Sequence, residues 1–343
     1  MRQGRYVIEF ENKPCVVEWS AIAGKKESEG PLGNLFDMII DDATDGKDTW
    51  EQAESEFQKT AIGILIDKAG VKDEDIDVIF AGDLLNQCSG TGFSIRDYNI
   101  PFSGVYGACS TSVLAMINAA IGVNSGVFKK AISSTSSHFC SAEKQFRQPL
   151  EYGGQRTPTA QWTVTGAASA LISDEKTEAY PKIEKAIIGR IVDKGVTDAA
   201  NMGAAMAPAA AQTIADFLED TNTAPEDYDL ILTGDLGKVG TELLYELLEN
   251  EFSINIRNVH NDAGLMIYYL DEQDVHAGGS GCACCGTVLC TKILNELKNG
   301  KLRKVLVVAT GALLSSISPF QGESIPSIAH GIFLTNGRGK DEK

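Results

Sequence analysis

Eleven residues of this chain return, in order, 152 positions later. Glu74-Asp75-Ile76-Asp77-Val78-Ile79-Phe80-Ala81-Gly82-Asp83-Leu84 is matched by Glu226-Asp227-Tyr228-Asp229-Leu230-Ile231-Leu232-Thr233-Gly234-Asp235-Leu236. Each run reads as a buried strand that stops at a tight Gly-Asp turn. A second block follows in the same order. Gly107 to Leu114 is similar to Cys282 to Leu289, and Lys129 to Thr135 meets Lys304 to Thr310, both at an offset of 175. One Asp-apolar-Gly strand end is commonplace, but two blocks repeating in order point to duplication. The 343 residues therefore divide into two similar halves, 1–175 and 176–343.

Hydrophobic spacing gives the parts. Trp50, Ala53, Phe57, Ala61, Ile64, Leu65 and Ala69 recur at intervals of three and four, and Gly70 follows. That is an amphipathic helix with its stop. Ser112 to Ile121 is apolar on nearly every face and reads as a helix buried all round. Ala167–Ser173, Ile183–Val192, Val305–Ala309 and Ile332–Leu334 read as strands, and Pro208–Leu218 and Gly240–Glu249 as helices. Helices alternate with strands, so the class is α/β with a buried sheet. Paired halves would stack their core helices between two sheets and converge their strand ends on one site. Strand carboxyl ends are where such folds hold ligands.

Composition narrows the function. Asp plus Glu is 47 against 30 for Lys plus Arg, a net charge of −17, which argues against nucleic acid and against unaided binding to anionic lipid. The first residues alternate and carry charge, unlike a signal peptide, and no apolar stretch is long enough for a bilayer. Cys282-Ala283-Cys284-Cys285 has a Cys-x-x-Cys spacing but no second pair to complete a zinc site, so these thiols read as packing groups.

Gly107-Ala108-Cys109-Ser110-Thr111-Ser112 is the segment with chemistry. Small residues feed a thiol into the start of the apolar helix, where free amides and the helix dipole favour a thiolate or hold an oxyanion.

With that turn in view, the chain resembles the thiolase and ketoacyl-synthase superfamily. Longer runs, Pro158-Thr159-Ala160-Gln161-Trp162-Thr163-Val164-Thr165-Gly166, His276-Ala277-Gly278-Gly279-Ser280-Gly281-Cys282 and Ile325-Pro326-Ser327-Ile328-Ala329-His330-Gly331, resemble the AD family of stage V sporulation proteins of endospore formers. The resemblance implies a thiolase-like α-β-α-β-α layering and a homodimer. It also implies binding of dipicolinate (pyridine-2,6-dicarboxylate) in support of its uptake into the spore. The site would be the cytoplasmic face of the spore inner membrane, alongside other stage V sporulation membrane proteins. Superfamily enzymes pair the thiol with two further groups. Here Thr233-Gly234-Asp235-Leu236-Gly237 carries no imidazole and Gly279-Ser280-Gly281 no asparagine, while His276-Ala277-Gly278-Gly279 partly resembles the thiolase His turn. The expectation is a binding protein with Cys109 as a vestigial nucleophile; the alternative is an acyl-coenzyme A-dependent enzyme using Cys109.

The expected ligand-binding residues are Asp83, Cys109, His276, His330, Arg147, Gln161 and Thr165. A dianion beside Asp83 and Asp235 meets repulsion. Three resolutions stay open: amides at the Cys109 turn, a cation from His276, His330 or Arg147, or a ligand carried as its calcium chelate. No cofactor and no resident metal are expected. Asp235 reads as a structural copy of Asp83, His138 as a structural histidine, and Trp162 as either core or a ring for stacking.

Overall fold

The computed structural model describes residues 1–146, 156–175 and 177–337. Its principal elements are β1 (Cys15–Gly24), α1 (Trp50–Ala69), β2 (Val78–Gly82), α2 (Ser89–Ile95), β3 (Phe102–Gly104), α3 (Thr111–Asn124), β4 (Lys130–Ser137), α4 (Phe139–Phe146), β5 (Gly166–Ser173), β6 (Lys182–Ile187), α5 (Met202–Thr221), β7 (Leu230–Thr233), α6 (Gly237–Leu247), β8 (His260–Asp262), α7 (Cys282–Val288), β9 (Lys304–Ala312) and β10 (Ser327–Thr335).

The repeat is built into the topology. The strand order is β8-β7-β9-β10-β6-β1-β5-β4-β2-β3, which reads alike outward from the β6–β1 seam. In each half the inner pair, β2–β4 or β7–β9, is parallel, and the next strand, β5 or β10, is antiparallel to it. Helices α1 and α5 are both 20 residues long and begin 152 positions apart. Thr49 caps the first by accepting the Gln52 amide, and Asn201 caps the second by accepting that of Ala204.

Alternation along the strands makes two faces. Val305, Val307 and Ala309 of β9 enter one core with Val113 and Ile117 of α3, Cys284 and Val288 of α7, and Ala131 and Ile172 of the first half. The intervening Leu306 and Val308 pack with α5, as Ile132 and Leu171 pack with α1. So α3 and α7 lie between the half-sheets, with α1 and α5 outside, in five layers. The half-sheets are not separate, however. They join along β6, whose start pairs with Cys15 of β1 and whose end pairs with Val7–Glu9 near the N-terminus.

Three local expectations shift. Helix α5 begins at Met202, not at Pro208, which sits inside it; burial of Ala205, Met206, Ala207, Ala209 and Ala210 outweighs the one lost hydrogen bond. Strand β6 stops at Ile187 because the chain turns at Gly189, where a Cβ would sit 1.8 Å from the Ala329 carbonyl oxygen. His330 is not in a loop before the last strand but within β10, opposite Ala309.

Candidate functional site

The Cys109 turn is held by its own small polar side chains. Ser110 Oγ donates to the Gly107 carbonyl and Thr111 Oγ1 to that of Ala108, both at 2.6 Å, while the Gly107 amide donates to Thr111 Oγ1 at 3.0 Å. Ala108 sits at φ +49°, a strained setting for a residue with a Cβ, and this projects Cys109 from the start of α3. Close approach of β9 requires glycine below it: a Cβ on Gly311 would lie 2.2 Å from the Gly107 oxygen. The amides of Ser110 and Thr111 turn back to Gly107 and Ala108, so they are engaged inside the turn and do not face a ligand.

Cys109 opens on a narrow cavity of about 60 Å³, which Asp235, Glu143 and Ser280 also line, with Phe146, Met202 and Leu314 among its apolar walls. Asp235 is buried. Its Oδ2 accepts the Gly281 amide at 3.1 Å and its Oδ1 accepts Thr310 Oγ1 at 2.5 Å. Burial pushes its carboxyl up to about 7, a rise that hydrogen bonds from Thr310 and Cys109 oppose. Burial also holds the Cys109 thiol well above its ordinary value, and the Asp235 charge adds to that. The thiolate anticipated from the helix start is therefore not favoured, because desolvation and a facing carboxylate outweigh the dipole.

The anticipated residues scatter. Asp83 is fully buried and caps its own turn: Oδ1 accepts the Leu85 amide at 2.7 Å, and Oδ2 accepts the Thr91 amide and Oγ1 at 2.6 Å each. It does not line the cavity; its copy Asp235 does, while also bracing Gly281 and Thr310 as a structural carboxylate. Gln161 braces the site from behind, its Nε2 donating to the Asp235 carbonyl at 2.6 Å and the Gly279 carbonyl at 2.9 Å. His330 is buried beneath the Gly107 turn, its Nδ1 accepting the Gly189 amide at 3.2 Å, and burial lowers its pKa to about 4, so it is neutral. His276 lies outside the cavity, 3.2 Å from exposed Asp274. Thr165 accepts the Phe139 amide and donates its own amide to Glu27, away from Cys109. Arg147 lies outside the described residues. His138 is structural as expected, its Nε2 2.7 Å from the Ala43 carbonyl. Trp162 stacks on Phe139 at 3.6 Å, with the Lys26 and Arg156 side chains against its ring, so it offers no free face to a pyridine.

Glu143, Ser280 and Met202 were not anticipated. The one available signal was the spacing of Ala142, Glu143 and Phe146 on one face of a short helix. Among the described residues no group of three or more His, Cys, Asp or Glu could hold a metal ion, and no helix is long and apolar enough to cross a membrane.

Five layers, a doubled sheet and a cysteine turn at the head of a buried helix define a thiolase-like protein. Solved structures agree on that fold. A variant of OleA from Xanthomonas campestris is similar with a TM-score of 0.62 at 13% identity, covering 96% of this chain and 99% of its own. The 3-oxoacyl-[acyl-carrier-protein] synthase III of Aquifex aeolicus VF5 gives 0.55 at 12% identity, covering 94% and 99%. Within that class, the chain belongs to the stage V sporulation protein AD family, whose model matches residues 4–335. It is 44% identical over 336 residues to the stage V sporulation protein AD of Bacillus subtilis (strain 168), covering 98% of each chain.

Proposed function

We propose that this protein binds dipicolinate at the Cys109 cavity without turning it over, in support of dipicolinate uptake into the developing spore. The observation that carries the non-catalytic part is the company Cys109 keeps. Carboxyl groups of Asp235 and Glu143 line its cavity, and no imidazole does among the described residues. A cysteine nucleophile needs a base or a cation to become a thiolate. Here the neighbours act in the opposite sense.

The same carboxyl groups bear on the ligand's form. The Ser110 and Thr111 amides are occupied, His276 faces Asp274, and His330 is held neutral. A bare dianion would therefore meet the carboxyl charge of Asp235. Dipicolinate carried as its calcium chelate has its own charge cancelled and presents the cation to the Asp235 carboxyl group. The calcium is then cargo. At about 60 Å³ the cavity must widen to accept the ring, and the flexible Met202 and Met206 side chains are the walls suited to repack.

The family reading also has the protein act as a homodimer, held at the cytoplasmic face of the spore inner membrane by other stage V sporulation proteins. Edge strand β3, with Phe102 and nearby Phe93 and Tyr106 exposed, is the surface that supports pairing.

Calorimetric titration with dipicolinate, with and without calcium, tests the proposal against Cys109→Ala and Asp235→Asn. Saturable, calcium-dependent binding weakened by either change supports it; flat heats throughout would end it. Exposure to acyl-coenzyme A followed by intact-mass analysis tests the competing condensing-enzyme reading, which requires an acyl adduct lost in Cys109→Ala.

A further inference from the structure

At the other end of the sheet from Cys109 lies a larger groove of about 730 Å³. Strand β9 connects the two sites: Lys304, its first residue, lines the groove, and Ala312, its last, lines the Cys109 cavity. Eight residues of extended chain put them about 27 Å apart.

The charge of this groove is opposite to that of the protein. Five cationic side chains, Lys13, Lys182, Lys185, Arg303 and Lys304, line it in a chain of net charge −17. Its two carboxylates are already engaged. Glu184 Oε1 accepts Lys13 Nζ and Thr335 Oγ1, each at 3.0 Å, and Asp227 Oδ2 accepts the Ala224 amide at 2.9 Å. Asp229, just behind, accepts the backbone amides of Arg303 and Lys304 at 2.7 and 2.9 Å, which fixes where those side chains start. The cations are less committed. Lys185 reaches Gln3 at 2.7 Å and Glu9 only at 4.0 Å, and Lys182 donates to the Gly337 carbonyl at 3.3 Å. The Arg303 and Lys304 side chains are exposed and form no ion pair among the described residues.

Charge also decides what kind of anion fits. The hydroxyls along one wall are taken up by one another: Thr221 donates to the Phe217 carbonyl, Thr223 lies 2.7 Å from Thr221, and Tyr228 lies 2.8 Å from Thr223. Donors come from the guanidinium and the ammonium groups, a set matched to a phosphate, whose several oxygens each take a charged donor. A long polyanion is disfavoured by the acidity of the rest of the surface. We propose that this groove is a second ligand site, which takes a phosphate group through Arg303, Lys304 and Lys182. Both a free phosphate compound and an anionic lipid headgroup present that chemistry. The site does not depend on the dipicolinate reading.

The test uses the full chain at low salt. Pyrophosphate is titrated by calorimetry, and vesicles of phosphatidylglycerol or of phosphatidylcholine alone are used in co-sedimentation. The double variant Arg303→Gln/Lys304→Gln is compared with wild type and with Lys25→Gln/Lys238→Gln, which removes equal charge elsewhere. Because both altered side chains are exposed and the amides held by Asp229 are retained, matching urea midpoints are expected. Saturable pyrophosphate binding that the groove variant weakens about tenfold or more, and the control does not, supports a soluble phosphate ligand. The same pattern with phosphatidylglycerol vesicles only supports a headgroup. Absence of saturable binding to both probes, or equal weakening by the control, overturns the proposal.

Discussion

The carboxylate of Asp235 accepts the amide of Gly281 at 3.1 Å, across 46 residues of sequence. Gly281 sits at φ +101°, and a Cβ there would come 2.7 Å from Ser137 Oγ. This one bond ties the turn after β7 to the start of α7 and sets a carboxyl group against Cys109.

Asp235 should make stability fall as pH rises. Burial lifts its carboxyl from 3.8 to about 7, so the folded state holds the proton more tightly than the unfolded one. The contribution is fully present below pH 3.8 and is lost as pH climbs through 7. Glu54, buried beside Asp83 and raised to about 8, acts in the same direction. Urea unfolding at pH 5 and pH 8 should show lower stability at pH 8. In Asp235→Asn that drop should shrink by about 2–3 kcal/mol.

Cys109 should be a slow thiol. With burial and Asp235 both opposing the thiolate, its alkylation by iodoacetamide at pH 7.5 should lag well behind that of a free cysteine. Peptide mapping must separate it from Cys88 and Cys140, which are half-buried as it is. Asp235→Asn should speed the Cys109 reaction, because it removes the carboxyl charge that adds to the rise of the thiol.

Asp83→Ala should cost about 2–4 kcal/mol in urea unfolding, because it strands two buried amides and the Thr91 hydroxyl. Asp83→Asn keeps one acceptor oxygen and should cost less.

Gly203→Ala should be more damaging than an ordinary helix substitution. A Cβ there would lie 2.7 Å from both the Gly240 nitrogen and the Leu236 oxygen, forcing α5 from α6. A loss of about 1–3 kcal/mol is expected, read as a lower thermal midpoint. Because Met202 and Met206 flank this contact and line the Cys109 cavity, ligand affinity should fall with it.

The duplication was readable because it is written in backbone necessity. Gly82 and Gly234 end matching strands where a Cβ would come 2.0 Å from Val105 O and 2.9 Å from Ala309 Cα, so glycine recurs in both halves. The Cys109 turn was readable for a similar reason, its small residues being those a crowded turn admits. What separates Asp83 from Asp235 was not readable. The two stand in near-identical sequence, but Asp83 meets Thr91 only eight residues on, whereas Asp235 meets Gly281 and Thr310 at 46 and 75. Those partners come within reach only once the second half has folded. Glu143 was hidden likewise: on α4 it looks like a surface acid until the cavity closes over it. His330 was misplaced because Pro326 and Gly331 suggested a loop, while nine consecutive pairings with β9 make it strand.

The burial that dulls Cys109 as a nucleophile has a second effect. It is the thiolate that reacts with peroxides and disulfides, and desolvation suppresses it at half-buried Cys109 as it does at the buried Cys282, Cys284, Cys285 and Cys290. An enzyme thiol poised for chemistry is also poised for damage. By keeping the sulfur and withholding its charge, this fold makes the thiol chemically long-lived, a property of use to a member of a sporulation family.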